Sequence, residues 1–268
     1  MIVEEQCSMV GSVYNPPFTQ DGRKTLVSRK EIHPDMLMDI NVHQLKRGEV
    51  RTFRRAGDEM ALLLIQGDVT FRWNGQSVRA VRKDFFNERP WCLHVPKDME
   101  IMVEASGPTE LLEQATDNAS SFSPCMYTPA DCEDVVSGAG LYGGEAVRTV
   151  RTIFDHGTAP YSNFVCGEVL HSPGQWSSYI PHHHPQPEVY YYRFDKPQGF
   201  GAAFVGDDAF KITDGAVSAI TPGKTHPQAC APGYRMYYVW MIRHLPGDPW
   251  DRTRIDDPAH IWLLSEGK

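Results

Sequence analysis

Apolar residues along this chain fall in short blocks and alternations, and nowhere in the three-to-four-residue stripe of a long amphipathic helix. The run ALLLIQGDVTFRW, from Ala61 to Trp73, followed by Asn74-Gly75 and QSVRAVR, predicts a buried strand leading into a hairpin. Asn-Gly supplies the positive φ that a tight hairpin turn requires. A second hairpin is predicted for AFKIT, Asp214-Gly215 and AVSAI. Each is followed by a strand that breaks at a proline and resumes, LHVPKDMEIMVEA at Pro96 and TPGKTHPQACAPGYRMYYVWMI at Pro222, which makes a weak internal repeat of pattern. Between the halves, the turn-rich stretch from Asn118 to Gly144 reads as a crossover. Short helical turns are expected near Pro34 to Met38 and in the C-terminal tail. Many short strands with regular turns predict an all-β sandwich or barrel, and two similar halves predict two of them, residues 1–140 and 141–268.

Composition narrows the function. The 268 residues include 22 Gly and 20 Pro, too many turn-formers for a helical bundle, while 41% hydrophobic content is too high for a disordered chain. A net charge of −8 argues against nucleic acid or an anionic membrane as partner, since both require a basic footprint. No secretory signal and no apolar run of membrane-spanning length is visible. The six cysteines (Cys7, Cys92, Cys125, Cys132, Cys166, Cys230) are dispersed without a CxxC, which fits a reducing cytoplasmic setting with unpaired thiols.

The most informative segment is Gly174-QWSSYIP-His182-His183-His184-PQP-Glu188-VYYYRF. In an extended chain His182 and His184 share a face and His183 points away. A bend at Pro185 to Pro187 returns Glu188 to their side, with Tyr190 and Tyr192 on the same face. A further imidazole, His226, follows in Pro222-Gly223-Lys224-Thr225-His226, on a strand expected to return beside the first. Taken singly, each histidine is better explained otherwise, His182 to His184 as a polar surface turn and His226 as a satisfied histidine beside a proline. Three imidazoles and a carboxylate together suit a divalent ion, Zn foremost, with Mn, Fe, Co or Ni also compatible, and leave positions open for substrate. The remaining histidines read as structural. The first half has no HxH, and its Asp58, Glu59 and Glu100 are expected to lack imidazole partners.

These residues carry a resemblance. Gly174 to Glu188 is similar to the first cupin motif and Gly215 to His226 to the second. GQWSSYIPHHH, EVYYYRF, KPQGFG, TPGKTHP and APGYRMYYVWMI resemble the 5-deoxy-glucuronate isomerases of myo-inositol catabolism, whose wider superfamily includes the ketol-isomerase of pectin breakdown. The resemblance covers most of the chain and is densest from Val147 to Met241. It implies a bicupin of two double-stranded β-helix (jelly-roll) barrels, an N-terminal one over 1–140, expected to be metal-free because it has no HxH, and a C-terminal one over 141–268. It implies a metal held by His182, His184, Glu188 and His226. In the inositol branch a longer polar insertion usually separates the two histidines from the glutamate, and a lysine usually stands where His183 does. Here only Pro185, Gln186 and Pro187 intervene, as in the pectin branch.

The implied reaction is aldose-ketose isomerisation of a deoxy-uronic acid, 5-deoxy-glucuronate to 2-deoxy-5-keto-gluconate. A divalent ion polarises the carbonyl and stabilises the oxyanion that develops next to it. Glu188, Tyr190 and Tyr192 are the candidate catalytic residues; a metal-bound hydroxide or one of the histidines remains open as base. A uronate also needs a cation. Lys224 and Arg193 are candidates for it, with Gln198 for sugar hydroxyls and Tyr238 for the barrel wall. The alternatives are a 5-keto-4-deoxyuronate-type ketol-isomerase, an Fe(II) cupin oxygenase, and a carbohydrate-sensing bicupin without turnover. A homo-oligomer is expected, as is common for cupins.

Overall fold

The computed structural model describes residues 11–266, and Cys7 lies outside them. In the first half the long strand Asp58–Trp73 serves two sheets. Its leading part pairs with Trp91–Val95 and Thr109–Asp117, its trailing part with Gln76–Arg82 and Ile101–Ala105, and the register shifts between Leu64 and Gln66 where it passes from one to the other. Arg23–Val27 and Asp39–Leu45 extend one sheet, and Val50–Phe53 pairs with Ile101–Ala105 in the other. The predicted hairpin is present, with Trp73 opposite Gln76 and positive φ at Asn74 and Gly75.

The second half repeats the plan. One sheet runs Val13–Tyr14, Val217–Ile220, Glu188–Phe194, Met236–Arg243, Phe164–His171, Arg148–Phe154, Val135–Ser137. Facing it is a sheet of Trp176–Ser177, Gln228–Cys230, Phe200–Val205 and Asp208–Thr213. A small ladder joins His182–His183 to Ile255–Asp256. The stretch between the halves gives a strand to each side: Cys125–Tyr127 pairs with Trp91–Val95, and Val135–Ser137 with Arg148–Phe154. Short helical turns occur at Pro34–Met36, Pro258–His260 and Leu263–Glu266. Among the described residues no helix is long and apolar enough to cross a membrane. The architecture is a bicupin.

Strand alternation explains why the central runs are apolar throughout. On Glu188–Phe194, Tyr190, Tyr192 and Phe194 fill the second barrel, while Val189 and Tyr191 join the core between the barrels. On Asp58–Trp73, Met60, Leu62 and Leu64 fill the first barrel, while Ala61, Leu63 and Ile65 face the same shared core. Both faces are covered, so the period-two signal disappears.

Two expectations are corrected. Asp208–Thr213 does not form a hairpin with Val217–Ile220; it pairs with Phe200–Val205, and Val217–Ile220 crosses at Asp214-Gly215 to the opposite sheet. A turn sequence is blind to which sheet the next strand joins, and here it makes a barrel corner. Of the first-half carboxylates expected to lack an imidazole partner, Glu59 has one, whereas Asp58 is paired with Arg29; Glu113 has an imidazole partner as well. Glu59 meets His94 at 2.9 Å and Glu113 meets His43 at 2.8 Å, pairs that arise from strand register and not from sequence spacing.

Candidate metal centre

The second barrel gathers the predicted ligands at the end of its large sheet. Glu188 opens the strand Glu188–Phe194 and points inward with Tyr190 and Tyr192. His184 precedes the Pro185–Pro187 bend, and His226 arrives from the loop before Gln228–Cys230. Ligand atoms of His184, Glu188 and His226 lie within 4.8 Å of one another, and all three residues are buried. The Nε2 atoms of His184 and His226 each stand 3.2 Å from the same carboxylate oxygen of Glu188. Ligands bound at ~2.0–2.2 Å to one ion lie about 3 to 3.5 Å apart, so the spacing fits a common cation. His182 stands at the edge of this group, its ring 5.1 Å from that of His226 and lining the same cavity.

The donor chemistry makes the same point. The Nδ1–H of His226 donates to the Lys224 carbonyl at 3.0 Å, and the Nδ1–H of His182 to the Ile180 carbonyl at 2.8 Å. Each neutral ring is therefore left with a lone pair on Nε2. In His226 that lone pair faces a carboxylate oxygen, an acceptor opposite an acceptor, which requires a second proton or a cation between them. Burial disfavours the proton. It lowers the pKa of His226, and it lowers that of His182 to about 3, with the neighbouring His226 adding to the effect. The residues present fit a divalent ion.

The cavity at these ligands has a volume of about 200 Å³, below the ~300 Å³ at which pockets for drug-sized ligands begin. Tyr190 and Tyr238 line it with rings 4.5 Å apart, their hydroxyls meeting Ser178 and Ser177. Burial raises both phenols, that of Tyr238 to about 12. Tyr192 lies on the same buried face but does not line the cavity; its hydroxyl is engaged by Ser218 and Gln228.

Three of the predicted substrate contacts lie elsewhere. Arg193 alternates with Tyr192 along the strand, so it faces away from the His184–Glu188–His226 cluster and is held by Glu110 and Asp214 beside a groove of about 740 Å³. Lys224 is exposed because its stretch is a turn and not a strand; its carbonyl, and not its ammonium, serves the site. Gln198 is exposed in the turn after Lys196. The cations that do line the cavity are Arg148, Arg252 and Arg254, which the sequence analysis missed. The last two come from the segment whose strand Ile255–Asp256 pairs with His182–His183, a contact with no local signature.

Comparison with known proteins bears on the family and the fold. The model of the KduI/IolB family matches residues 13–263. The 5-deoxy-glucuronate isomerase of Geobacillus kaustophilus is 24% identical over 243 residues, 84% of this chain and 85% of its own length. That of Bacillus velezensis is 32% identical over 131 residues, 44% of this chain and 47% of its own. Among solved structures, an IolB-like protein from Salmonella typhimurium superposes with a TM-score of 0.85 at 21% identity, covering 95% of this chain and 100% of that one. The oxalate decarboxylase of Lactobacillus farciminis superposes with a TM-score of 0.68 at 13% identity, covering 96% and 90%. A family match running through both barrels and the ligand segments makes this chain a member of the KduI/IolB family.

Proposed function

We propose that the protein is a metal-dependent aldose-ketose isomerase that converts 5-deoxy-glucuronate to 2-deoxy-5-keto-gluconate in myo-inositol catabolism. The observation that carries this reading is the buried convergence of His184, Glu188 and His226, with His182 beside them, at a sugar-sized cavity lined by arginines. Relatives named 5-deoxy-glucuronate isomerase, aligned over most of the chain, support it.

When bound, the divalent ion, zinc foremost, supplies a Lewis acid for the carbonyl and adjacent hydroxyl oxygens. The chain supplies the rest. His182, His184, Glu188 and His226 hold the ion, and the backbone carbonyls of Ile180 and Lys224 fix two of the rings in the ligating tautomer. The reaction removes a proton from C2, delivers one to C1, and moves a proton between the two oxygens, with no net redox change. Tyr190 and Tyr238 keep their protons near neutrality and line the cavity in which those oxygens would sit. Tyr192 buttresses Tyr190 and Tyr238 from below. Trp240 and Trp250 wall the cavity and keep bulk water from the intermediate. The reading places the protein in the cytoplasm as a homo-oligomer, where the five described, unpaired cysteines stay reduced.

The test is to follow 5-deoxy-glucuronate by NMR with metal-loaded protein, with chelated protein and under anaerobic conditions. Isomerisation that needs metal but not oxygen is expected. A metal-loaded sample that leaves the substrate unchanged overturns the reading. The short spacing from His184 to Glu188 makes the deoxy-hexosulose-uronate of pectin breakdown the second substrate to assay.

A further inference from the structure

Three arginines reach the cavity, and two are already neutralised. Arg252 makes two hydrogen bonds to Asp155, at 2.9 and 2.6 Å, and Arg254 lies 3.0 Å from Asp256. Arg148 differs. Among the described residues it has no carboxylate within 4.0 Å, and its one hydrogen bond goes to the Ala146 carbonyl at 2.9 Å. A guanidinium has five N–H donors in a fork that matches a carboxylate, so most of its bonding capacity is unspent. Burial, with Arg254 nearby, disfavours its charge. A half-buried cation among phenols and another cation lacks the counter-ion that such a group ordinarily has.

Its place on the strand explains why it points inward. Along Arg148–Phe154, Arg151 faces the other barrel and bonds Glu168, whereas Arg148 and Val150 turn into the second barrel. A wall of rings links it to the metal ligands. Tyr190 lies 6.0 Å from His226, Tyr238 lies 4.5 Å from Tyr190, His171 lies 5.7 Å from Tyr238, and His171 is the register partner of Arg148. The ligands stand toward one end of this wall and the unpaired guanidinium toward the other. A molecule that fits both ends carries a carbonyl with a neighbouring hydroxyl at one terminus and a carboxylate at the other.

We propose that Arg148 binds the carboxylate of the sugar acid, and so decides which end of the chain meets the metal and excludes neutral sugars. This rests on the isomerase reading for its substrate, but it makes a separate claim about binding. Arg148 is a substrate-binding and specificity residue; it takes no part in the proton transfers.

The experiment compares wild type with Arg148→Met and Arg148→Lys. With metal-loaded protein and 5-deoxy-glucuronate, Arg148→Met is expected to raise KM about 10- to 100-fold while kcat falls by less than about tenfold, and Arg148→Lys to fall between, since a lysine keeps the charge but loses the bidentate fork. In parallel, calorimetry on chelated protein measures binding of D-glucuronate and D-glucose. Wild type should favour the acid and Arg148→Met should lose that preference, with melting temperature and metal content of the variants as controls on folding. Unchanged KM and unchanged acid preference in both variants would overturn the proposal. So would a kcat loss with KM intact. If wild type binds glucuronate through Arg148 yet isomerises nothing, the isomerase reading fails and the anchor stands.

Discussion

At the scale of single residues, the site depends on which atoms carry protons. Replacing Glu188 by Gln keeps its shape but puts a neutral amide where a cation shared with two imidazole nitrogens needs an anionic ligand. Metal affinity is expected to fall at least about 100-fold, and activity with it, while the melting temperature of chelated protein changes little. Elemental analysis after dialysis checks this, and full metal occupancy in the variant would remove Glu188 from the ligand set. His171 gives a pH prediction. It is buried with both ring nitrogens unpartnered, and burial, aided by Arg148, lowers its pKa to about 3 from the ordinary 6.5. The unfolded chain protonates this ring below about pH 6.5 and the folded one does not. Stability from this group is therefore complete above 6.5 and declines as pH falls toward 3, by ~1.4 kcal/mol per pH unit. In urea titrations at pH 7.5 and 5, His171→Leu should lose about 1 to 2 kcal/mol less than wild type; parallel losses would show that the ring is protonated in the fold. Tyr238 and Arg148, the groups facing it, stay in fixed charge states over that range. The cluster of His184, Glu188 and His226 was legible because HxHx3E is a local pattern. Arg148 was not, because its significance comes from a register partner and from a carboxylate it lacks.

At the scale of elements, what a strand reveals depends on how many of its faces are covered. Asn74-Gly75 specified its hairpin because the turn needs only local φ, whereas Asp214-Gly215 looked the same and proved to be a corner. The lone Gly in FVCGEVLH carried information that only the fold decodes. A Cβ on Gly167 would lie 2.3 to 2.6 Å from the indole of Trp240, so the glycine lets that ring lie flat on the sheet beneath the metal cavity. Gly167→Ala must push Trp240 into the space reserved for substrate. A loss of ~1–3 kcal/mol is expected from the overpacking, together with a rise in KM larger than any change in metal content. Wild-type KM in a destabilised variant would mean that the ring yields sideways and the cavity keeps its shape.

At the scale of the molecule, the two barrels share more than an apolar core. Arg82 of the first barrel is fully buried against Glu168 of the second at 2.7 Å, with Arg151 and the Tyr237 hydroxyl on the same carboxylate. The backbone carbonyls of Leu64 and Glu88 take further guanidinium hydrogens. A Glu inside FVCGEVLH, a carboxylate in a mostly apolar strand, is a trace of this in the sequence. Removing Arg82 takes the shorter of the two guanidinium contacts from a fully buried Glu168 and leaves it with Arg151 at 3.3 Å, a change of the kind that costs up to about 3–5 kcal/mol even where the intact pair contributes little net stability. Arg82→Met should therefore lower the melting temperature by roughly 10 °C for a chain of this size. The double variant Arg82→Met, Glu168→Met should lose clearly less than the sum of the singles, because the second change removes the buried anion that the first leaves with one guanidinium fewer. It should not return to wild type, since Arg151 and Tyr237 then lose their acceptor. Additive losses would mean that the pair is solvated through the interface and that the shared core alone joins the barrels. Unfolding in two separate steps would mean that this bridge, and not the apolar contact, makes the two barrels fold as one.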